Sequence, residues 1–224
     1  MLKEIFGKKV GMTQVFTAEG DMVGVTLVEV EPVCLLEKHD YPTKSVVRIG
    51  VFPVAEKRAG KVSKPVAGYF KKMGVKPYKH IREVPIDKGA DLSFLTSAEA
   101  KEGEEKKEVP SREVGVEMFK EGELVHVRAK TKGRGFAGGM KRHGWSGQPA
   151  SHGHMTHRRI GSAGSNTYPG RSFRGLRMPG HMGDKPLTIR NLKVIKIDAD
   201  KKLLFLKGSV PGARGSFVNI QKAV

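Results

Sequence analysis

The chain has 224 residues, 41 Lys or Arg against 23 Asp or Glu, and a formal net charge of +18 at pH 7. With 38% hydrophobic residues it has material for one good-sized core, and an isoelectric point near 10 makes a polyanion the expected partner. A membrane is the weaker choice of polyanion, since no run of 18 apolar residues and no basic amphipathic helix occurs, and the single Cys34 excludes an internal disulfide.

Met1 to Gly7 lack the apolar region of a signal peptide, so a cytoplasmic protein is expected. Residues 1–11 alternate Lys with Gly and apolar residues, and Met12 to Phe16 reads as a short strand. A turn at 18–21 leads into a second strand, Met22 to Val30, stopped by Pro32; together they predict a hairpin. Cys34, within Val33-Cys34-Leu35-Leu36, reads as a small buried apolar residue. Ser45 to Val51 is a further strand. From Pro65 the spacing of Val66, Tyr69, Phe70 and Met73 predicts one short helix over 65–73, docked on the sheet and closed by Gly74. Residues 90–113 form an acidic insertion, rich in Glu and Lys and read as a solvated helix or loose loop. Strand character returns at Glu123 to Arg128, and then at Leu187 to Ile197, Lys202 to Leu206 and Phe217 to Ile220. Short strands with regular turns favour a closed or nearly closed antiparallel barrel, in a mainly β (α+β) fold.

Between those strands lies the stretch that concentrates the charge. Residues 129–190 hold 12 Lys or Arg against one acid, Asp184, with 13 glycines, five histidines and no valine. That is +11 of the total +18. Its large apolar residues are scattered without helical or strand period, too few to offset the entropy of ordering the segment alone. The expected organisation is therefore a first barrel part over 1–128, a basic glycine-rich loop over 129–186, and final barrel strands over 187–224. About 20 residues out and 20 back would span up to ~60 Å at full extension.

Three motifs in this loop carry competing chemistry. Gly133-Arg134-Gly135-Phe136-Ala137-Gly138 matches G-x-G-x-x-G after a strand, but a dinucleotide site also needs a helix at the last glycine and an acid about 20 residues on. Gly139 to Gly144 is a poor helix start, and no acid occurs between Arg128 and Asp184. The same backbone, flanked by Lys130, Lys132, Arg134, Lys141 and Arg142, suits RNA phosphates instead. His143, His152, His154 and His157 lack a Cys or carboxylate to complete a metal site, and Arg158 and Arg159 repel a cation, so no metal or other cofactor is expected. Neither the histidines nor Ser146 and Ser151 have the setting of a hydrolase, so the chain is not read as an enzyme. Trp145, set among glycines, suits stacking on an unpaired base.

The motifs Gly7-Lys8-Lys9-Val10-Gly11-Met12-Thr13, Lys132-Gly133-Arg134-Gly135-Phe136, Met140-Lys141-Arg142-His143-Gly144, Ser151-His152-Gly153, Pro169-Gly170-Arg171 and Met178-Pro179-Gly180-His181-Met182-Gly183 closely resemble those of the bacterial ribosomal protein L three family. Lys207 to Gly212 continues the likeness, which covers nearly the whole chain. It implies a translation-protein-type barrel with a long loop running toward the peptidyl-transferase centre. It implies direct binding of 23S rRNA in the large subunit, a nucleating role in assembly, and L fourteen and L nineteen as protein neighbours. The expected rRNA contacts are Lys8, Lys9, Lys130, Lys132, Gly133, Arg134, Gly135, Lys141, Arg142 and His143. They continue through Trp145, Gln148, His152, His154, His157, Arg158, Arg159, Arg171, Arg174, Arg177 and His181. Gln148 falls where some family members carry an N5-methylglutamine, which implies a glutamine methyltransferase as a further partner; Pro149 after it departs from that pattern.

Overall fold

A computed structural model of the chain describes residues 2–17, 19–86 and 113–223. The strands in order are β1 (Glu4–Phe16), β2 (Met22–Glu29), β3 (Val33–Asp40), β4 (Ser45–Pro53), β5 (Tyr78–Ile86), β6 (Glu113–Val114), β7 (Leu124–Lys130), β8 (Phe136–Ala137), β9 (Gly180–His181), β10 (Pro186–Asp198), β11 (Leu203–Lys207) and β12 (Phe217–Lys222). The helices are α1 (Lys64–Lys72) and α2 (Gly139–His143). By Cα proximity the chain divides into two units, one of residues 1–130 and 187–224, the other of residues 131–186.

In the first unit six strands close a barrel in the order β1, β12, β7, β10, β11, β2, and β5, β4, β3 and β6 form a second, four-stranded sheet. The β1–β2 hairpin is present, paired from Lys8 with Glu29 to Phe16 with Met22. The barrel interior follows from period-two alternation: in β7, Val125, Val127 and Ala129 point inward and are buried, while Leu124, Arg128 and Lys130 are exposed. Ile5, Val28, Val194, Leu204, Leu206, Val218 and Ile220 complete the core from the other strands.

Three expectations are corrected here. The first strand is 13 residues long, not five, because the glycines interspersed before Met12 permit close strand approach: a Cβ on Gly7 would sit 2.6 Å from a Val28 methyl and 2.7 Å from the Glu29 carbonyl oxygen. The sequence pattern predicts no strand at Val33–Asp40 or at Tyr78–Ile86, yet both flank β4 in the second sheet. The sheet is therefore divided, and the short helix docks on the four-stranded part. Phe70 of α1 packs with Cys34, Leu36 and Tyr78, which makes Cys34 the buried apolar residue expected of it. A second tie is polar. The Glu37 carboxylate accepts from Arg48 at 3.0 Å and from the Tyr69 hydroxyl at 3.0 Å, and burial pushes the Tyr69 pKa up. The helix spans Lys64–Lys72 with Pro in its first turn, and Gly74 follows at φ 64°. The acidic insertion lies outside the described residues except for Glu113, which pairs with Cys34.

Candidate nucleic-acid interface

The second unit joins β7 to β10, which are neighbours in the barrel. It begins and ends as an antiparallel pair. Thr131 N–H donates to the Lys185 carbonyl at 2.9 Å, Arg134 N–H to Met182 at 2.9 Å, and Met182 N–H to Gly135 at 2.9 Å; Phe136 then faces His181, with their rings edge-to-face at 5.9 Å. The glycines of this ladder have specific work. Gly183 has φ 73°, and a Cβ there would collide with the Lys132 carbonyl oxygen. Gly135 has φ 68° and nothing within 4 Å of a Cβ position, so its backbone stands open to close approach.

Beyond the ladder the chain makes a helix that its sequence argues against. Gly139 to His143 forms the single turn α2, closed by Gly144 at φ 71° with its N–H on the Met140 carbonyl. Its start at Gly139 is possible because that residue carries no side chain: the Trp145 ring occupies the space a Cβ would need. Trp145, though set among glycines, has packing partners: its ring covers Gly139 and stacks beside His143 with centroids 6.1 Å apart. Gly133 to Gly138 is thus followed by a helix, but by one of only five residues, and with no acid between Arg128 and Asp184 the ribose-binding element of a dinucleotide site is missing.

Arg142 and His143 stitch this turn to the returning chain. Both donate to the Met178 carbonyl, at 2.7 Å from Arg142 Nη1 and 3.0 Å from His143 Nε2. The next segment closes on itself: Gln148 N–H donates to the His157 carbonyl at 3.0 Å, and His157 Nδ1 donates to the Pro149 carbonyl at 2.9 Å. Within that loop His154 Nδ1 accepts from the Thr156 N–H at 3.2 Å, and His152 takes φ 62°. Among the described residues no group of three or more His, Cys, Asp or Glu comes together as a metal site.

The remaining expected rRNA-binding residues face outward. Lys132, Arg134, Lys141, Arg158, Arg159, Arg171, Arg174 and Arg177 are all exposed, as are Gln148, His152, His157 and His181, and Lys8 and Lys130 are exposed in the first unit. Lys9 is the exception: it is 9% exposed, and its ammonium donates to the Val210 carbonyl at 2.6 Å and more distantly to Gly212, within the barrel unit. Phe136, Phe173 and Lys185 are exposed as well and stand outside the set expected from the sequence. Phe136 is legible there only as filler in a glycine motif. Tyr168 is 87% exposed and Met155 93%, while Ala137 is the only residue of the unit in the buried hydrophobic core. The unit thus sets ten cations against one acid, with the rings of Phe136, Tyr168 and Phe173 left in solvent, groups whose chemistry can meet phosphates and unpaired bases.

Comparison with known proteins agrees with this chemistry. The family model for ribosomal protein L3 matches residues 62–203. Proteins described as large ribosomal subunit protein uL3 align along essentially the whole chain. That of Corynebacterium jeikeium is 41% identical over 224 residues, covering 100% of this chain and 95% of its own. That of Thermotoga petrophila is 42% identical, covering 99% and 98%, and that of Acetivibrio thermocellus 40% identical, covering 100% and 98%. Identity of this degree along the whole length, through barrel strands and basic loop alike, places the chain in the ribosomal protein L3 family.

Proposed function

We propose that the chain is a structural protein of the large ribosomal subunit in the cytoplasm, that it binds 23S-type rRNA directly and early in assembly, and that residues 131–186 are its RNA-inserting element. The barrel supplies a stable anchor, and the loop supplies cations and open glycine backbone to phosphate, with Trp145, His152 and Tyr168 offered to bases. No step of chemistry is assigned to it. The observation that carries this reading is the outward display of Lys and Arg on a unit that buries almost no side chain of its own. The family resemblance adds the peptidyl-transferase region as the loop's destination and proteins L fourteen and L nineteen as neighbours. Gln148 is exposed, as a glutamine methyltransferase requires, and an unshifted mass for the peptide containing it, taken from native ribosomes, would remove that modification.

The test compares binding to large-subunit rRNA and to an unrelated RNA across a salt series, for the full chain and for Arg171→Ala/Arg174→Ala/Arg177→Ala. The full chain should keep its preference at high salt. The variant should bind more weakly with a shallower slope, by about 0.7 to 0.9 for each phosphate that is no longer neutralised. Equal binding to both RNAs would reduce the loop to a generic polycation.

A further inference from the structure

A second site lies in the first unit, built from segments far apart in sequence. A cavity of about 540 Å³ is lined by Lys8 of β1, Glu31, the end of β4 at Phe52 and Pro53, Arg58 and Lys61 before α1, Lys79 and His80 of β5, and Phe217 of β12. Its volume is in the range of small-ligand sites. One wall is aromatic. Phe217 is stacked on Phe6 at 5.1 Å and has the Arg82 guanidinium 5.9 Å from its ring centre, so it is backing. Phe52 and His80 stand edge-to-face against it at 5.7 and 5.4 Å and against each other at 6.4 Å. Phe52 holds its place at φ 59°, a conformation a bulky side chain rarely adopts. The rim is cationic: Lys8, Arg58, Lys61 and Lys79 are all exposed, and Glu31 is the single carboxylate among the described lining residues.

We infer that this cavity takes one unpaired nucleotide of a folded RNA, its base against Phe52 and His80 and its phosphates among Lys8, Arg58, Lys61 and Lys79. The inference rests on the reading of the chain as an rRNA-binding protein and gives that reading a single-nucleotide contact made by the first unit. Neither half of the site is explained alone. Surface cations attract any polyanion, but an acidic peptide has no use for an aromatic wall, whereas a nucleotide carries a flat π-face and a phosphate on one small body. A double-stranded RNA presents phosphates but no free base. Burial, helped by Lys79 and Arg82, holds the His80 pKa below its ordinary value, which leaves a neutral ring at pH 7 for a base to lie against.

The test follows the ring signals of Phe52 and His80 by NMR in the full chain as three probes are added: a single-stranded RNA tetranucleotide, a blunt-ended RNA duplex with every base paired, and a polyglutamate peptide. The tetranucleotide should shift both rings, and the other two should not. Phe52→Leu should weaken tetranucleotide binding about fivefold or more, fivefold being the lower end of what one base stack contributes. Arg58→Ala/Lys61→Ala changes only exposed side chains and should weaken it while leaving the ring spectrum of the free protein intact. Ring shifts of equal size with polyglutamate would make the cavity a peptide site and overturn the inference, as would tetranucleotide binding that ignores both variants. Large-subunit rRNA is measured in parallel. If it is still preferred while the cavity ignores the tetranucleotide, the cavity assignment falls and the rRNA reading stands. If the preference is absent while the rings respond, the rRNA reading falls instead.

Discussion

At the scale of single residues, two side chains sit where their chemistry would not have put them. Trp145 is the chain's only tryptophan, and its ring lies over the bare Cα of Gly139. Gly139→Ala would place a methyl inside that ring, and overpacking of this kind costs about 1–3 kcal/mol unless the ring moves away. The ring is only partly buried and its neighbours Gly144 and Ser146 are exposed, so the expected result is displacement rather than unfolding. Emission of the variant should shift to the red and become more open to iodide quenching, and unchanged emission would mean that the ring does not pack on Gly139. Lys9 shows the opposite case, a cation drawn inward. Its ammonium satisfies the carbonyl of Val210, so Lys9→Met should lower stability by about 1–3 kcal/mol in denaturant unfolding while leaving rRNA affinity nearly unchanged. Lys8, exposed next to it, should behave the other way round, losing affinity and not stability.

At the scale of elements, the loop depends on its ladder. Gly183→Ala forces a side chain against the Lys132 carbonyl at a backbone angle disfavoured for alanine, so the pairing between Arg134 and Met182 should open. Faster amide exchange at those two residues, with barrel amides unchanged, is the expected signature; unaltered exchange would show the ladder does not need the glycine. Elements of this kind mark the limit of what the sequence discloses. Strands β2, β4, β7, β10, β11 and β12 and helix α1 are legible because their apolar residues keep a period and Gly or Pro punctuates their ends. Strand β3 is not, because Val33 to Leu36 is a short unbroken apolar run, buried at every position and without alternation. Strand β5 is hidden by Lys79, Arg82 and Glu83 and by Pro85 near its end. Helix α2 consists of one turn opened by a glycine, and the contacts that hold it, the Trp145 ring over Gly139 and the bonds of Arg142 and His143 to Met178, are tertiary. The basic loop itself is visible from charge alone, since composition needs no fold. The internal duties of Lys9, Arg142 and His143 are invisible for the same reason: charge says nothing of which carbonyl a cation will meet.

At the scale of the whole molecule, apolar burial and charge are separated. Residues 131–186 hold ten of the 41 basic side chains and one of the 23 acids, whereas the buried hydrophobic core outside Ala137 belongs to the other unit. Ordering a residue's backbone costs about 1–2 kcal/mol, and the loop buries too little apolar surface to offset that over its length. Its hydrogen bonds are also mostly at exposed positions, where water competes for them. In the free protein, amides of Val25, Val28, Val127 and Val218 in the barrel core should therefore exchange slowly, while those between Gly144 and Arg177 exchange near their intrinsic rate. Addition of large-subunit rRNA should protect the loop and leave the barrel amides as they were. Such a result would mean that part of the phosphate attraction is spent on ordering the loop, so that affinity falls short of what ten cations would otherwise give and specificity comes from the one path on which the loop can order. Barrel-like protection of the loop before RNA is added would show instead that it is preorganised, and Trp145, Arg142 and Met178 would then be its core.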